Sequence, residues 1–262
     1  MIKAKKNLGQ NFLIDEKILK KITDITEIKG KTILEVGPGT GNLSSFILKK
    51  NPKKFFVVEK DHRLISSLQK KFQNQIEIIN GDILKIDEKE LSQDKLIVFG
   101  NLPYNISTEI LCKWILNLND NNFWFENMIL MFQKEVADRI VAEVNSSKYG
   151  RLTILTNWKM KAKRIFDIDP ENFFPKPKVK SSLIYFEPRK DYFTFKSHKN
   201  LETVTNVFFQ NRRKMIKKPI NILFKNFQFD YKKFNIKSSD RPQNIDIKKY
   251  LEIVNEYESL GS

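Results

Sequence analysis

Short apolar runs alternate with amphipathic stretches over the first half of the chain. The runs lie at 32–36, 55–59, 76–80, 96–99 and 128–132. Apolar residues recur at helical spacing elsewhere, and Asp15, Asp61 and Ser107 stand as N-caps before three such stretches. Strands that are apolar throughout are typical of a sheet covered by helices on both faces. The pattern therefore predicts a doubly wound α/β domain with a parallel sheet.

The pattern changes after Gly150. Extended runs at 162–168 and 181–186 predict a hairpin, and prolines 170, 175 and 177 exclude a regular helix between them. Residues 189–262 contain helical patterns and little strand signal. We therefore predict one domain over residues 1–188 and a small helical domain over residues 189–262.

The charge of the chain indicates what kind of partner it has. Its 47 Lys and Arg exceed its 31 Asp and Glu by 16, and residues 189–262 carry half of this excess. Such an excess favours a polyanion. No basic amphipathic helix, lipid anchor or long apolar run indicates a membrane. One cysteine and two histidines exclude a disulfide framework and a zinc site, so we expect a soluble, cytoplasmic protein.

A glycine-rich turn, Gly37-Pro-Gly-Thr-Gly41, follows the first of these strands. Glycine allows a tight turn and a close approach of a ligand to the backbone. Glu59 ends the next strand, where nucleotide-binding folds offer a carboxylate to ribose hydroxyls. A structural turn followed by a solvated acid is the alternative. The G-x-G-x-G spacing departs from the dinucleotide fingerprint and favours a ligand without a pyrophosphate.

Asp82 follows the third strand and could accept a hydrogen bond from an adenine amino group. An Asx turn or a helix cap explains this residue equally well. Its position matters, because the carboxyl ends of parallel strands meet at one edge of a sheet. We therefore expect Gly37, Glu59 and Asp82 to line a single site.

The fourth strand leads into Asn101-Leu102-Pro103-Tyr104. The Asn101 side-chain oxygen and the backbone carbonyl between Leu102 and Pro103 can both accept hydrogen bonds from one exocyclic amine. Tyr104 can stack on a base. The alternative is an ordinary turn with a core tyrosine.

These segments resemble the ribosomal RNA adenine dimethyltransferase family, most closely its small-subunit enzymes. The matching segments are 7–13, 35–41, 81–82, 98–107, 133–136, 149–152, 173–179 and 210–214. The resemblance implies a class I, Rossmann-like sheet that binds S-adenosylmethionine and a small all-helical C-terminal domain. It also implies a substrate: two adjacent adenosines in a hairpin loop near the 3′ end of 16S ribosomal RNA, each methylated twice at N6 during small-subunit biogenesis.

The resemblance also assigns residues. The family's cofactor positions fall on Asn11, Leu13, Gly37, Glu59, Asp82 and Asn101. Within this set, Glu59 would bind the ribose and Asp82 the adenine, and Asn101 would lie near the methionine end and the target amine. Tyr104 would stack on the flipped target, and Phe173 matches an aromatic that covers the other face of the base. Phe174 and Lys176 depart from the family's pattern in that loop.

A basic cluster and the basic N-terminal arm are candidates for holding RNA phosphates. The cluster consists of Arg212, Arg213, Lys214, Lys217 and Lys218. A solvated helix face is the alternative for any single lysine, whereas phosphate contact is the better interpretation of the whole cluster. The partner is then 16S ribosomal RNA in the small subunit or its precursor, bound by a monomer.

Methyl transfer from a sulfonium needs no protein nucleophile, and neither histidine is placed to act as a base. Holding the amine in line with the donor is the main task of the protein. Three alternatives are a methyltransferase that acts on 23S ribosomal RNA, a non-catalytic assembly factor and a Rossmann dehydrogenase. The match over residues 149–214 disfavours the 23S methyltransferase. The intact Asn101–Tyr104 tetrad disfavours a non-catalytic assembly factor, and the glycine spacing disfavours a dehydrogenase.

Overall fold

The computed structural model describes residue 5 and residues 9–118, 123–225 and 227–260. In chain order the strands and helices are β1 (Phe12–Leu13), α1 (Glu16–Thr23), β2 (Thr32–Val36), α2 (Asn42–Leu48), β3 (Lys54–Glu59), α3 (His62–Phe72), β4 (Glu77–Asn80), β5 (Leu96–Asn101), α4 (Ser107–Leu116), β6 (Phe125–Gln133), α5 (Lys134–Ile140), α6 (Arg151–Lys159), β7 (Met160–Ile168), β8 (Phe173–Phe174), β9 (Ser181–Pro188), α7 (His198–Gln210), α8 (Lys217–Leu223) and α9 (Ile247–Ser259).

The chain forms two compact units. One takes in the described residues of Met1–Ala137 and Lys163–Pro188, and the other those of Asp138–Ala162 and Arg189–Ser262. The expected junction after Pro188 coincides with the end of the first unit. The segment 138–162 differs from our expectation, because it lies in the second unit. The reason is packing: α6 contacts α7 and α9.

A seven-stranded sheet organises the first unit, in the order β4-β3-β2-β5-β6-β9-β7. The pairs from β4 to β6 are parallel, and β9 runs antiparallel to β6. The predicted doubly wound parallel sheet is therefore confirmed, with the predicted hairpin strands β7 and β9 at one side. Ile33, Val57 and Phe99, from three neighbouring strands, are fully buried in its core.

Side-chain caps begin two of the predicted helices. Asp15 accepts a hydrogen bond from the Ile18 N–H at 2.9 Å before α1, and Asp61 accepts one from the Arg63 N–H before α3. The third predicted cap was wrong. Ile106 is the N-cap and Ser107 is the first residue of α4, because the Ile106 N–H closes a turn on the Pro103 carbonyl. The Ser107 hydroxyl instead donates to the Tyr104 carbonyl.

The second unit is built around α6, α7 and α9. Phe208 of α7 meets Tyr250 of α9 edge to face, with ring centroids 5.2 Å apart. The Tyr149 hydroxyl donates to the Ile245 carbonyl at 2.9 Å. This hydrogen bond connects the segment before α6 with the segment before α9. No strand occurs in the described residues beyond Pro188, as the pattern predicted. Among the helices of the described ranges, none has the length and apolarity to cross a membrane.

Candidate active site

A cavity of about 330 Å³ opens in the first unit where the parallel strands end. Five elements form it: the segment 9–12, the glycine turn after β2, the end of β3, the turn after β4 and the turn after β5. The sequence-predicted residues that line it are Asn11, Gly37, Glu59, Asp82, Asn101 and Pro103. The expected convergence of strand ends on one site is therefore found in the structure.

The glycine turn supports the N-terminal segment directly. Gly37 and Gly39 have φ values of +70° and +60°, which side chains other than glycine rarely adopt. A Cβ placed on Gly39 would lie 2.6 Å from Cδ1 of Phe12. The Phe12 ring therefore packs directly against the backbone of Gly39. A side chain at position 39 would prevent segment 9–12 from covering the turn.

Glu59 ends β3 with its carboxylate held by backbone groups. Its Oε1 accepts hydrogen bonds from the N–H groups of Lys60 and Asp61, each at 2.9 Å. The Gly39 N–H also donates to this carboxylate. Burial nevertheless raises the pKa of Glu59 above its usual value. A buried acceptor in fixed orientation suits the hydroxyl groups of a sugar.

Asp82 performs two tasks at once. Its Oδ1 accepts from the Leu84 N–H at 3.1 Å and caps a short 3₁₀ turn, which is the helix-cap alternative raised by the sequence. Its Oδ2 accepts from the Lys60 ammonium at 2.8 Å, and this hydrogen bond lowers the pKa of Asp82. Asp82 and Lys60 both line the cavity, so the ion pair lies on its wall.

The side-chain amide of Asn101 is oriented by the N-terminal segment. Its Nδ2 donates to the Asn11 carbonyl at 2.6 Å. Only the nitrogen end of an amide can donate to a carbonyl, so the assignment of nitrogen and oxygen is fixed. Within the described ranges no hydrogen bond is given to Oδ1 of Asn101, and Asn101 lines the cavity.

The rest of the tetrad is divided between cavity and core. Pro103 lines the cavity, and its carbonyl accepts from the Ile106 N–H at 3.1 Å. The Leu102 side chain is buried. Tyr104 is half-buried, does not line the cavity and pairs its hydroxyl with that of Ser181. Burial raises the pKa of this tyrosine.

Phe173 is placed differently from its expected role. In the β1–β8 pair, Leu13 lies opposite Phe173, and both side chains are packed in the hydrophobic core. Phe173 is 3% exposed and does not line the cavity, so its ring cannot cover a base in this conformation. The expectation that Phe173 faces the target is not met here, because the register of the pair turns this residue inward.

Glu35 begins the family-like segment 35–41, but no role was predicted for it. It is buried in β2, accepts from the Ser44 hydroxyl at 2.5 Å, and burial raises its pKa to about 7. With Gly37, Leu13 and Asn101 it lines a second, smaller cavity. An acid inside an otherwise apolar strand was the signal that could have identified it.

Two further polar contacts were also not foreseen. Gln10, on the cavity wall, donates to the buried Asp61 at 3.1 Å, and this joins segment 9–12 to the end of β3. Ser181 holds the Tyr104 hydroxyl from β9. The two residues of the first contact are 51 positions apart in the sequence, and those of the second are 77 positions apart. No local sequence pattern could therefore predict either contact.

The basic cluster of the second unit divides into two groups. Arg213, Lys214, Lys217 and Lys218 are exposed. Arg212 is half-buried, and its guanidinium donates to the carbonyls of Ser146 and Ser147, the latter at 2.6 Å. Arg212 therefore fastens the end of α7, whereas the other four remain available to an anion. Of the N-terminal arm, residues 1–4 and 6 lie outside the described residues, as do Asn7 and Leu8 of the family-like segment.

Known proteins resemble this chain over almost its full length. The family model for ribosomal RNA adenine dimethylase matches residues 1–259. A ribosomal RNA small subunit methyltransferase A from Pelagibacter ubique (strain HTCC1062) is 56% identical over 99% of this chain and 98% of its own length. A protein of the same name from Wolbachia sp. subsp. Drosophila simulans (strain wRi) is 37% identical over 99% of this chain and 96% of its own.

Solved structures agree with these sequence relatives. A dimethyladenosine transferase from Plasmodium falciparum superposes with a TM-score of 0.81 at 27% identity, over 95% of this chain and 98% of the other. The 23S rRNA methyltransferase ErmE has a TM-score of 0.70 at 21% identity, over 94% and 99%, and supports the fold alone. Because the family model spans nearly every residue and a relative shares more than half of them, the chain belongs to the ribosomal RNA adenine dimethylase family.

Proposed function

We propose that this chain dimethylates N6 of two adjacent adenosines in a hairpin loop near the 3′ end of 16S ribosomal RNA, during biogenesis of the small subunit. Its family consists of S-adenosylmethionine-dependent ribosomal RNA adenine dimethyltransferases. The assignment of a small-subunit substrate is supported by the names of the relatives, which are ribosomal RNA small subunit methyltransferases. The observation that carries the proposal is the Asn101 amide at the cavity wall, whose Nδ2 donates to the Asn11 carbonyl, so that Oδ1 is the end that can accept.

The cavity residues fit S-adenosylmethionine. A volume of about 330 Å³ is in the range of small-molecule sites. Glu59 offers a fixed carboxylate to the ribose hydroxyls, and Asp82 offers one to the adenine amine. Asn11 and Gly37 line the cavity and would contact the ligand, whereas Leu13 is buried and lines the smaller cavity. When bound, S-adenosylmethionine supplies a methyl group already activated on a sulfonium, so the protein needs no nucleophile of its own.

The tetrad supplies the acceptors that an adenine amine requires. Asn101 Oδ1 would hold one N–H of the amine, and the Leu102 carbonyl would hold the other. Two acceptors hold the N–H bonds away from the ring plane and concentrate the nitrogen lone pair, which is otherwise delocalised into the ring. Fixed orientation of this kind supplies several kcal/mol towards a transfer step. The proton released from the methylated amine passes to water.

Tyr104 would stack on the target base. Its hydroxyl is held by Ser181, so the ring is fixed by a side chain from another strand. A base in a stacked helix cannot reach this position, which favours an unpaired loop or an extruded nucleotide as the substrate. In the second unit, Arg213, Lys214, Lys217 and Lys218 would bind phosphates. We thus propose that the first unit carries catalysis and the second carries RNA affinity, in a cytoplasmic monomer.

The proposal is tested by incubating unmodified small subunits with the protein and labelled S-adenosylmethionine, with large subunits as a parallel substrate. The modified nucleotides are then mapped. Label at two adjacent adenosines of 16S ribosomal RNA supports the proposal. Label in large subunits alone would instead indicate the 23S alternative, and no label in either would indicate an RNA-binding factor without activity.

A further inference from the structure

The small ribbon formed by β1 and β8 has two unlike faces. Leu13 and Phe173 lie opposite each other and are both buried. Phe12 and Phe174 form the other pair, and residues directly opposite in an antiparallel pair point to the same face. Phe12 lines the cavity, whereas Phe174 is 54% exposed. This face of the ribbon therefore places one aromatic side chain on the cavity wall and its pairing partner in solvent.

Phe174 is accompanied by other exposed apolar side chains. Ile14 follows β1 and is 50% exposed, and its N–H donates to the Asn172 carbonyl at 2.9 Å, so it extends the pairing of the two segments. Val179, in the loop after β8, is 44% exposed. Large apolar side chains grouped on a surface mark contact sites more often than single ones do.

The charges of the same loop indicate a nucleic acid rather than an apolar partner. Lys176 pairs with Glu171, and Lys180 pairs with Asp169. Lys178 is exposed, and within the described part of the chain no carboxylate forms an ion pair with it. The segment from Phe174 to Lys178 thus offers an exposed ring and an unneutralised cation close together in the sequence, in a chain of net charge +16. Aromatic rings beside cations are the standard surface for unpaired RNA bases.

We propose that Phe174 stacks on a nucleobase that neighbours the target adenosine, while Lys178 contacts a phosphate of the same strand. The inference rests on the proposed function, because it takes an RNA adenine to occupy the cavity. Phe174 is then a positioning residue for RNA. It anchors the strand beside the site but touches neither the cofactor nor the reacting amine.

The test compares F174A, F174L and F174W with the wild type. F174L keeps an apolar side chain and lacks the ring, whereas F174W keeps a ring. The matched control is F227A, because Phe227 is 51% exposed but lies in the second unit. Binding is measured with a synthetic RNA hairpin whose loop carries 2-aminopurine beside two adjacent adenosines, and cofactor affinity is measured by calorimetry.

We expect F174A and F174L to weaken RNA binding about 5- to 100-fold, the range expected for one stacked base. Both should lose the fluorescence quenching of 2-aminopurine that stacking causes, and F174W should restore it. Cofactor affinity should be unchanged in all of these variants, and F227A should keep the quenching of 2-aminopurine. Wild-type behaviour of F174L would overturn the proposal and indicate a protein partner or a plain apolar contact. Because binding is read without methyl transfer, an inactive wild type would refute the proposed function separately.

Discussion

The Asn101 side chain donates from Nδ2 to the Asn11 backbone carbonyl over 2.6 Å, across a separation of 90 residues. This single contact sets which end of the amide is an acceptor. It also attaches the N-terminal segment to the end of β5, the strand that leads into the tetrad. In the proposed mechanism, the cover of the cavity and the acceptor for the target amine therefore depend on the same side chain.

Replacing Asn101 with Asp tests this dependence with almost no change in shape. The variant places a carboxylate oxygen against the Asn11 carbonyl, and two acceptors repel each other. We expect kcat to fall by about 100-fold or more, the typical loss for one preorganised polar contact, and cofactor affinity to fall with it. Initial rates and calorimetry measure the two effects, with the exposed Asn74→Asp as the control. Unchanged cofactor affinity would show that Asn11 needs no such anchor.

The arrangement of strand ends could be predicted from the sequence, whereas the orientation of the amide could not. Gly37 and Asp82 each come after an apolar run and Glu59 ends one, and parallel strands bring their ends to one edge. The partner of Asn101 is a backbone carbonyl, which any residue type at position 11 would supply. No pattern of side chains encodes such a contact.

The sequence also could not predict which of two adjacent phenylalanines is buried. Phe173 and Phe174 are the same residue type, so composition and spacing cannot tell which one is buried. The register of a two-residue ribbon decides it, and a slip of one residue would exchange them. The assignment of residues 138–162 to the second unit had a similar cause, because it depends on contacts of α6 with helices far along the chain.

Cofactor affinity should depend on pH through Glu59. Its pKa is raised by burial. In the proposed complex the ionised carboxylate is the stronger acceptor for the ribose hydroxyls. Affinity is therefore full at high pH and falls as the pH is lowered towards this raised pKa. We expect E59Q to bind about 10- to 100-fold more weakly at pH 8 and to lose this pH dependence. Calorimetry from pH 8 to pH 5, with the exposed E77Q as the control, measures both. An E59Q affinity equal to the wild type would remove the ribose assignment.

Stability should depend on pH through Glu35. Its pKa is about 7 in the folded state, against a usual value of 4.5. Between these values the folded state binds more protons than the unfolded state, so stability decreases as the pH rises through this window. E35Q keeps an acceptor for Ser44 and removes the titration. Its free energy of unfolding should exceed that of the wild type at pH 8, by up to about 3 kcal/mol, and the difference should vanish near pH 4. Denaturant unfolding at several pH values measures this, and parallel pH profiles for the two proteins would contradict it.

The salt dependence of RNA binding should distinguish the residues of the basic cluster. Arg213 and Lys214 are exposed, and removing both should reduce the slope of log affinity against log salt by about 2, one per phosphate contact. Replacement of the exposed Lys232 and Lys237 of the same unit removes equal charge and should change the slope less. Arg212→Ala should lower thermal stability instead, because its guanidinium holds the carbonyls of Ser146 and Ser147. Equal slopes for the two double variants would indicate diffuse attraction without specific phosphate sites.

We propose that the Asn101 amide at the cavity wall accepts a hydrogen bond from the adenine amine during methyl transfer. The most direct measurement is the number of N6,N6-dimethyladenosines per small subunit, determined by nucleoside mass spectrometry after incubation with S-adenosylmethionine and either the wild type or N101A. We predict two per subunit for the wild type and none for N101A, although N101A still binds the subunit. Dimethyladenosine formed by N101A at the wild-type rate would contradict the claim.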